Sequence, residues 1–64
     1  MVKNRLGEIL DERGIKQIWL AEQVGITRQT MSNLVNNRYN TSAEVGLKIA
    51  FVLNLSFDDI FYLD

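Results

Sequence analysis

The chain has 64 residues, 47% of them hydrophobic, and a formal net charge of −1. A chain of this length forms a single domain with a small core, which usually needs a disulfide, a metal or a second subunit for stability. It contains neither cysteine nor histidine, so we expect the stability to come from a partner subunit. The same absence removes imidazole bases and thiolate nucleophiles, and we expect no enzyme and no cofactor.

The apolar segments are too short to cross a membrane. The longest, 49–53 and 60–63, are far below the roughly 20 residues that a bilayer-spanning helix needs, so we expect a soluble protein without a membrane partner. Because the chain has no cysteine, its fold does not depend on an oxidising compartment, and we expect it in the cytoplasm. No pattern indicates a small-molecule ligand.

The charges are unevenly distributed along the chain. Four cations minus one anion give residues 13–43 a charge of +3, whereas most acids lie before or after this segment. A local basic surface is typical of nucleic-acid binding, although an ordinary solvated surface has the same composition.

Hydrophobic periodicity predicts three helices in the first part of the chain, over residues 4–13, 17–24 and 28–36. Gly14 and Gly25 would end the first two in the left-handed conformation. Thr27 is a suitable N-cap for the third helix, and Asn37 can end it because asparagine tolerates the left-handed region. The predicted inward faces are Leu6, Ile9 and Leu10, then Leu20, Ala21 and Val24, then Met31, Leu34 and Val35.

The remaining chain predicts two more helices. Thr41 and Glu44 form a capping box for a fourth helix ending near residue 53, and Ser56 and Asp59 form another for a short helix ending near residue 61. Gly46 lies mid-helix at a cost of about 1 kcal/mol, which indicates close packing there. The expected inner face of the fourth helix is Ala43, Leu47, Ala50 and Leu53.

These elements predict an all-α, five-helix bundle in one domain spanning residues 1–64. Segments 1–3 and 61–63 have strand-like composition and could pair as a two-stranded ribbon.

The segment 17–36 carries the pattern of a helix-turn-helix (HTH). Ala21 is small where two helix axes would cross, Gly25 supplies the turn, and Ile26 fills the corner. The outward side of the third helix is almost entirely amide, hydroxyl and guanidinium, which suits hydrogen bonding to base edges. Any surface helix is polar outside, but the combined spacing favours the HTH.

The sequence QIWLAEQVGITRQTMS at 17–32 resembles the Cro/C1 (Xre) family of phage and bacterial repressors. The segments RYNTS at 38–42, LKIA at 47–50 and DDIF at 58–61 are similar to the C-terminal part of its shortest members, so the resemblance covers nearly the whole chain. It implies a five-helix lambda-repressor-like fold. It also implies a homodimeric repressor that binds a palindromic double-stranded DNA operator, with the third helix in the major groove.

The resemblance also assigns roles to individual positions. The residues expected to contact bases are Thr27, Arg28, Gln29, Ser32 and Asn33. The residues expected to contact phosphates are Lys16, Gln17, Asn36, Arg38 and Tyr39. Gln17 would in addition brace Gln29.

Several positions depart from the family pattern. Asn37 stands where glycine is usual and Thr41 where proline is usual. Leu10 and Val35 replace an arginine–glutamate ion pair, so we predict a hydrophobic contact between them. Trp19 occupies an often polar position, and we expect a packed or half-exposed aromatic there instead of a DNA contact.

The C-terminal region is the expected dimer surface. Phe57 and Phe61 lie four residues apart on one face of the fifth helix, with Phe51 and Tyr62 nearby. The alternative is that Ile60 and Phe61 only complete the core, as we expect of Ile60 in any case. The alternative function is a protein-interaction module, antitoxin-like or antirepressor-like, which the apolar excess and acidic total would favour.

Overall fold

The computed structural model describes residues 1–38 and 41–64. The elements in chain order are β1 (Val2–Asn4), α1 (Leu6–Arg13), α2 (Gln17–Val24), α3 (Arg28–Val35), α4 (Ala43–Leu53), α5 (Phe57–Ile60) and β2 (Phe61–Leu63). Five helices and an antiparallel ribbon of the two chain ends confirm the predicted fold. None of the described helices is long and apolar enough to span a bilayer.

Local capping sets the ends of the first three helices. Gly14 and Gly25 adopt positive φ angles of 66° and 79°, as predicted. Asn37 (φ 57°) follows α3, and its amide donates to the Leu34 carbonyl at 3.0 Å. Because these caps are local, the bounds of α2 agree with the prediction and those of α3 differ by one residue. The predicted start of α1 at residue 4 was wrong: the helix begins at Leu6, because Asn4 pairs with Phe61 in the ribbon.

The start and the inner face of α4 differ from the prediction. Ser42, and not Thr41, is the N-cap, and its side-chain oxygen accepts a hydrogen bond from the Val45 amide at 3.2 Å. The predictions for Ala43 and Leu47 were wrong, since both are exposed; the buried residues are Gly46, Ile49, Ala50 and Leu53.

Gly46 explains this orientation of α4. A Cβ at this position would lie 2.7 Å from the Phe57 ring, so the helix approaches α5 with its glycine face. The predicted close packing at Gly46 is therefore confirmed. The Phe57 ring in turn stacks on that of Phe61, with centroids 4.5 Å apart.

Every helix contributes to one core, whose largest fully buried side chains are Leu6, Leu20, Met31, Ile49, Leu53 and Ile60. Leu10 is buried and Val35 packs against the core from its edge. Val35 Cγ1 lies 3.6 Å from the position of a Cβ at Gly7, one turn before Leu10. This placement agrees with the Leu10–Val35 contact, which stays a prediction.

The ribbon and α5 close the domain. Val2 pairs with Leu63 and Asn4 with Phe61, which brings the two chain ends together. The predicted Ser56–Asp59 capping box is confirmed. Hydrogen bonds from the Ser56 backbone and side chain, with a smaller contribution from the charge of Arg5, lower the pKa of Asp59 below its ordinary value.

Candidate nucleic-acid interface

The turn between α2 and α3 is built from three residues of different roles. Gly25 turns the chain, and half-buried Ile26 packs against the core. The Thr27 hydroxyl oxygen accepts a hydrogen bond from the Thr30 amide at 3.1 Å and donates to Thr30 Oγ1 at 2.8 Å. This N-cap fixes the first turn of α3, where Arg28 and Gln29 project into solvent.

One face of α3 anchors the helix and the opposite face is polar. Met31 and Leu34 are buried beneath it. The polar residues at spacings of three, four and seven positions lie on one side of the helix and are Gln29, Ser32, Asn33 and Asn36. The helix can therefore present its amides and hydroxyls to a ligand without loss of its core contacts.

Hydrogen bonds order this polar face before any ligand binds. Gln29 Nε2 donates to Asn33 Oδ1 at 3.3 Å, and Arg38 Nη1 donates to the same oxygen at 3.5 Å. Asn36 Nδ2 donates to the Ser32 carbonyl at 2.9 Å. These bonds are solvent-exposed and of modest strength, so the side chains can exchange them for bonds to base edges.

The electrostatics of the two helix starts favour an anion. Neither α2 nor α3 has an acidic residue in its first turn, and no side chain caps α2. Within residues 1–38 and 41–64 the only ion pair joins Glu44 to Lys48 on α4, so Lys16 at the start of α2 and Arg28 at the start of α3 are not neutralised by such a pair. Free amides at a helix start beside unpaired cations suit phosphate groups.

The structure places most of the expected contact residues together. All five candidates for base contacts lie in α3 or at its N-cap, and Lys16 and Gln17 begin α2. Among the described residues Gln17 makes no bond to Gln29, whose amide donates to Asn33 instead. Tyr39 lies outside the described residues.

Buried Asn4 was missed by the sequence analysis. Its side-chain amide donates to the Leu34 carbonyl of α3 at 2.8 Å. No sequence pattern could have indicated this role, because it depends on the pairing of the two chain ends.

Six of the nine large apolar side chains that are exposed in the described part of the chain lie on two separate surfaces. The ribbon surface consists of Val2, Phe57, Tyr62 and Leu63, which line a groove of about 420 Å³. The α4 groove, of about 590 Å³, is lined chiefly by Gln23, Leu47, Phe51 and Val52. Trp19 is half-exposed, which agrees with the expectation of a packed or half-exposed aromatic side chain.

Phe61 does not belong to the exposed part of either surface. It lines the ribbon groove but is only 5% exposed, because most of its ring packs in the core of its own chain; its expected contact with a partner stays a prediction.

Comparison with known proteins shows the family to which this fold belongs. Residues 5–64 match the Cro/C1-type HTH DNA-binding domain. The chain belongs to this family. As a Cro/C1-type protein it is a DNA-binding transcriptional regulator.

Relatives that match over nearly the whole length of both chains support the assignment to this family. An uncharacterized HTH-type transcriptional regulator of Archaeoglobus fulgidus is 35% identical over 63 residues, which cover 98% of this chain and 90% of the relative. The uncharacterized HTH-type transcriptional regulator YgzD of Bacillus subtilis is 33% identical over 63 residues, covering 98% and 96%. The crystal structure of a candidate DNA-binding protein from Bacteroides fragilis is 31% identical, with a TM-score of 0.88 over 97% of this chain and 100% of that one.

Proposed function

We propose that this Cro/C1-type regulator is a sequence-specific repressor that binds a palindromic operator as a homodimer, with α3 in the major groove. The observation that carries the proposal is the polar, hydrogen-bonded face of α3, held by Met31 and Leu34 at its back. A helix held by its core contacts, with its donors and acceptors on one face, can match the pattern of the major groove, which differs for every base pair.

The proposed base contacts follow from side-chain chemistry. Arg28 opens the helix, is exposed and has no ion-pair partner among the described residues, so it is free to bind guanine in a bidentate manner. Gln29 and Asn33 lie one turn apart and suit adenine, which takes paired amide contacts. Thr27 and Ser32 flank this row and would contribute single hydroxyl contacts.

The proposed phosphate contacts lie at the ends of the HTH. Lys16 and Gln17 stand at the uncapped start of α2, where free amides add to the lysine charge. Asn36 and Arg38 follow α3, and Tyr39 is proposed with them. Contacts of this kind fix the register of the protein on DNA, whereas the α3 side chains supply specificity.

The proposed dimer contact is the ribbon surface, centred on Phe57 and Tyr62. A small domain that leaves such an apolar cluster in water gains stability by covering it. The ribbon also lies beside the C-terminal end of α3, since Asn4 of β1 bonds to Leu34. Phe51, which lines the α4 groove instead, then has no contact across this interface.

Repression is the simplest activity of such a dimer, because occupancy of an operator that overlaps a promoter is sufficient to exclude polymerase. An in vitro transcription assay on a template carrying the operator tests this part: added protein is expected to lower transcript yield. An increase would assign activation instead.

The direct test of operator binding is selection from a random double-stranded DNA pool. We expect enrichment of inverted repeats with half-site centres about 34 Å apart, one helical turn. Affinity should fall steeply as salt rises, because each neutralised phosphate releases counterions. Enrichment of single, non-repeated sites would contradict the homodimer, and absence of any enrichment would contradict specific recognition.

A protein-interaction module is the second candidate function, and the α4 groove favours it. Leu47 and Phe51 are 59% and 87% exposed there, which is unusual for side chains of this size. An antitoxin-like or antirepressor-like contact of this apolar kind would depend little on salt, so the salt series that tests DNA binding also separates the two functions.

A further inference from the structure

The side chain of Asn37 occupies the free edge of β1. The Arg5 amide donates to the Ile60 carbonyl at 3.0 Å, so the preceding residue, Asn4, directs its backbone groups to the opposite edge, as alternation in an antiparallel pair requires. There the Asn4 amide donates to Asn37 Oδ1 at 2.9 Å, and Asn37 Nδ2 donates to the Asn4 carbonyl at 3.2 Å. The amide of Asn37 thus takes the place of a third strand.

The side chain of Asn4 adds a buried connection to the same point. Its Nδ2 donates to the Leu34 carbonyl at 2.8 Å, and its Oδ1 accepts from the Leu6 amide at 3.0 Å. Asn4 is 6% exposed, and a buried polar side chain with all these bonds made is firmly held. Three hydrogen bonds therefore join β1 to the last turn of α3 and to Asn37, which follows the helix.

We propose that Asn37 is a positioning residue for operator recognition. Through Asn4 it holds the C-terminal end of α3 against the ribbon, which carries the dimer contact Tyr62 and continues from α5 with the dimer contact Phe57. In a dimer, the distance between the two recognition helices is set by the path from the interface to each helix. Asn37 supplies the hydrogen bonds that fix α3 to β1 on this path. It therefore determines which half-site spacing the dimer accepts, without touching DNA itself. The inference rests on the proposed homodimer.

The chain provides a matched control for this role. Asn37 and Asn54 both have a φ of 57° and both follow a helix, α3 and α4 respectively. Glycine adopts this conformation without strain, so substitution by glycine preserves the backbone at both positions. Within the described part of the chain the Asn54 side chain makes no hydrogen bond, and only Asn37→Gly removes a connection.

The experiment measures the affinities of the wild-type chain, Asn37→Gly and Asn54→Gly for the selected operator and for operators with one base pair added or removed between the half-sites. For each protein we take the affinity for the selected operator divided by the affinity for an operator of altered spacing. We expect this ratio to fall about tenfold in Asn37→Gly, as for the loss of two partly buried hydrogen bonds, and to be unchanged in Asn54→Gly. A mere loss of folded protein would lower all affinities together and leave this ratio unchanged.

A second variant covers the case in which Asn37→Gly does not fold. Asn37→Asp keeps the acceptor for the Asn4 amide but loses the donor to the Asn4 carbonyl, and we expect a smaller fall in the ratio. If the wild-type chain discriminates between spacings and a folded Asn37 variant, Asn37→Gly or Asn37→Asp, discriminates equally well, the inference is overturned. If the wild-type chain accepts all spacings equally, the proposed homodimer fails first and the inference with it.

Discussion

Leu10→Arg is expected to lower the free energy of unfolding by about 3–5 kcal/mol, the usual effect of an unpaired buried charge. Leu10 is 3% exposed in the core, so the guanidinium would lose its water without gaining a partner. A domain of this size has roughly 3–10 kcal/mol of total stability, and the variant should be close to unfolding at room temperature. Leu47→Arg is the control, because that leucine is exposed and its replacement should change stability by no more than about 0.5 kcal/mol.

The double variant Leu10→Arg/Val35→Glu tests the pairing itself. If the two positions face each other, the glutamate should restore part of the loss, with a coupling energy of about 1–3 kcal/mol. Urea unfolding followed by circular dichroism gives these values, at one protein concentration because dimer formation also contributes to stability. The reasoning would be refuted if Leu10→Arg cost no more than Leu47→Arg, or if the double variant showed no coupling.

Three further substitutions test the packing, the capping and the dimer surface. Gly46→Ala should gain about 1 kcal/mol of helix propensity but lose about 1–3 kcal/mol by displacing the Phe57 ring. Gly7→Ala is the control and should raise the melting temperature, because its Cβ would lie 3.6 Å from Val35, an ordinary contact distance. Equal stabilisation by the two substitutions would contradict the packing of Phe57 on Gly46. Asp59→Asn should lower the melting temperature at pH 7 and should lower it less at pH 3, which is below the ordinary pKa of an aspartate. The lowered pKa of the folded carboxyl gives stability that is present above its ordinary pKa and lost as pH falls through the folded value, so an equal effect at both pH values would exclude this origin. Phe57→Lys should yield monomers in analytical ultracentrifugation while Phe51→Lys should not, and the reverse result would move the interface to the α4 groove.

The parts of the fold that depend on neighbouring residues were predictable from the sequence. Gly25 and Thr27 are separated by one residue and set the turn between α2 and α3 without help from distant contacts. The pattern of the HTH and the polar face of α3 follow from the same local spacing.

The parts that depend on distant contacts were not predictable. Apolar residues of α4 occupy more than one face, and only the packing of Phe57 on Gly46 decides that Leu47 lies outside. The connection between Asn4 and Asn37 spans 33 residues of sequence and exists only because the chain ends pair. Neither asparagine has a neighbour in sequence that indicates its partner.

The measurement that tests the central claim most directly is the binding of Arg28→Ala and Gln29→Ala to the selected operator and to its single-base variants. Each substitution should weaken binding by about 1–3 kcal/mol and remove the preference at one or two base pairs in each half-site. Lys16→Ala, at the start of α2, is the matched backbone control: it should weaken binding to all these sequences alike and reduce the salt slope by about one. Unchanged affinity and unchanged base preference in both α3 variants would contradict the assignment of α3 as the recognition helix, and the protein-interaction module would then be the better account.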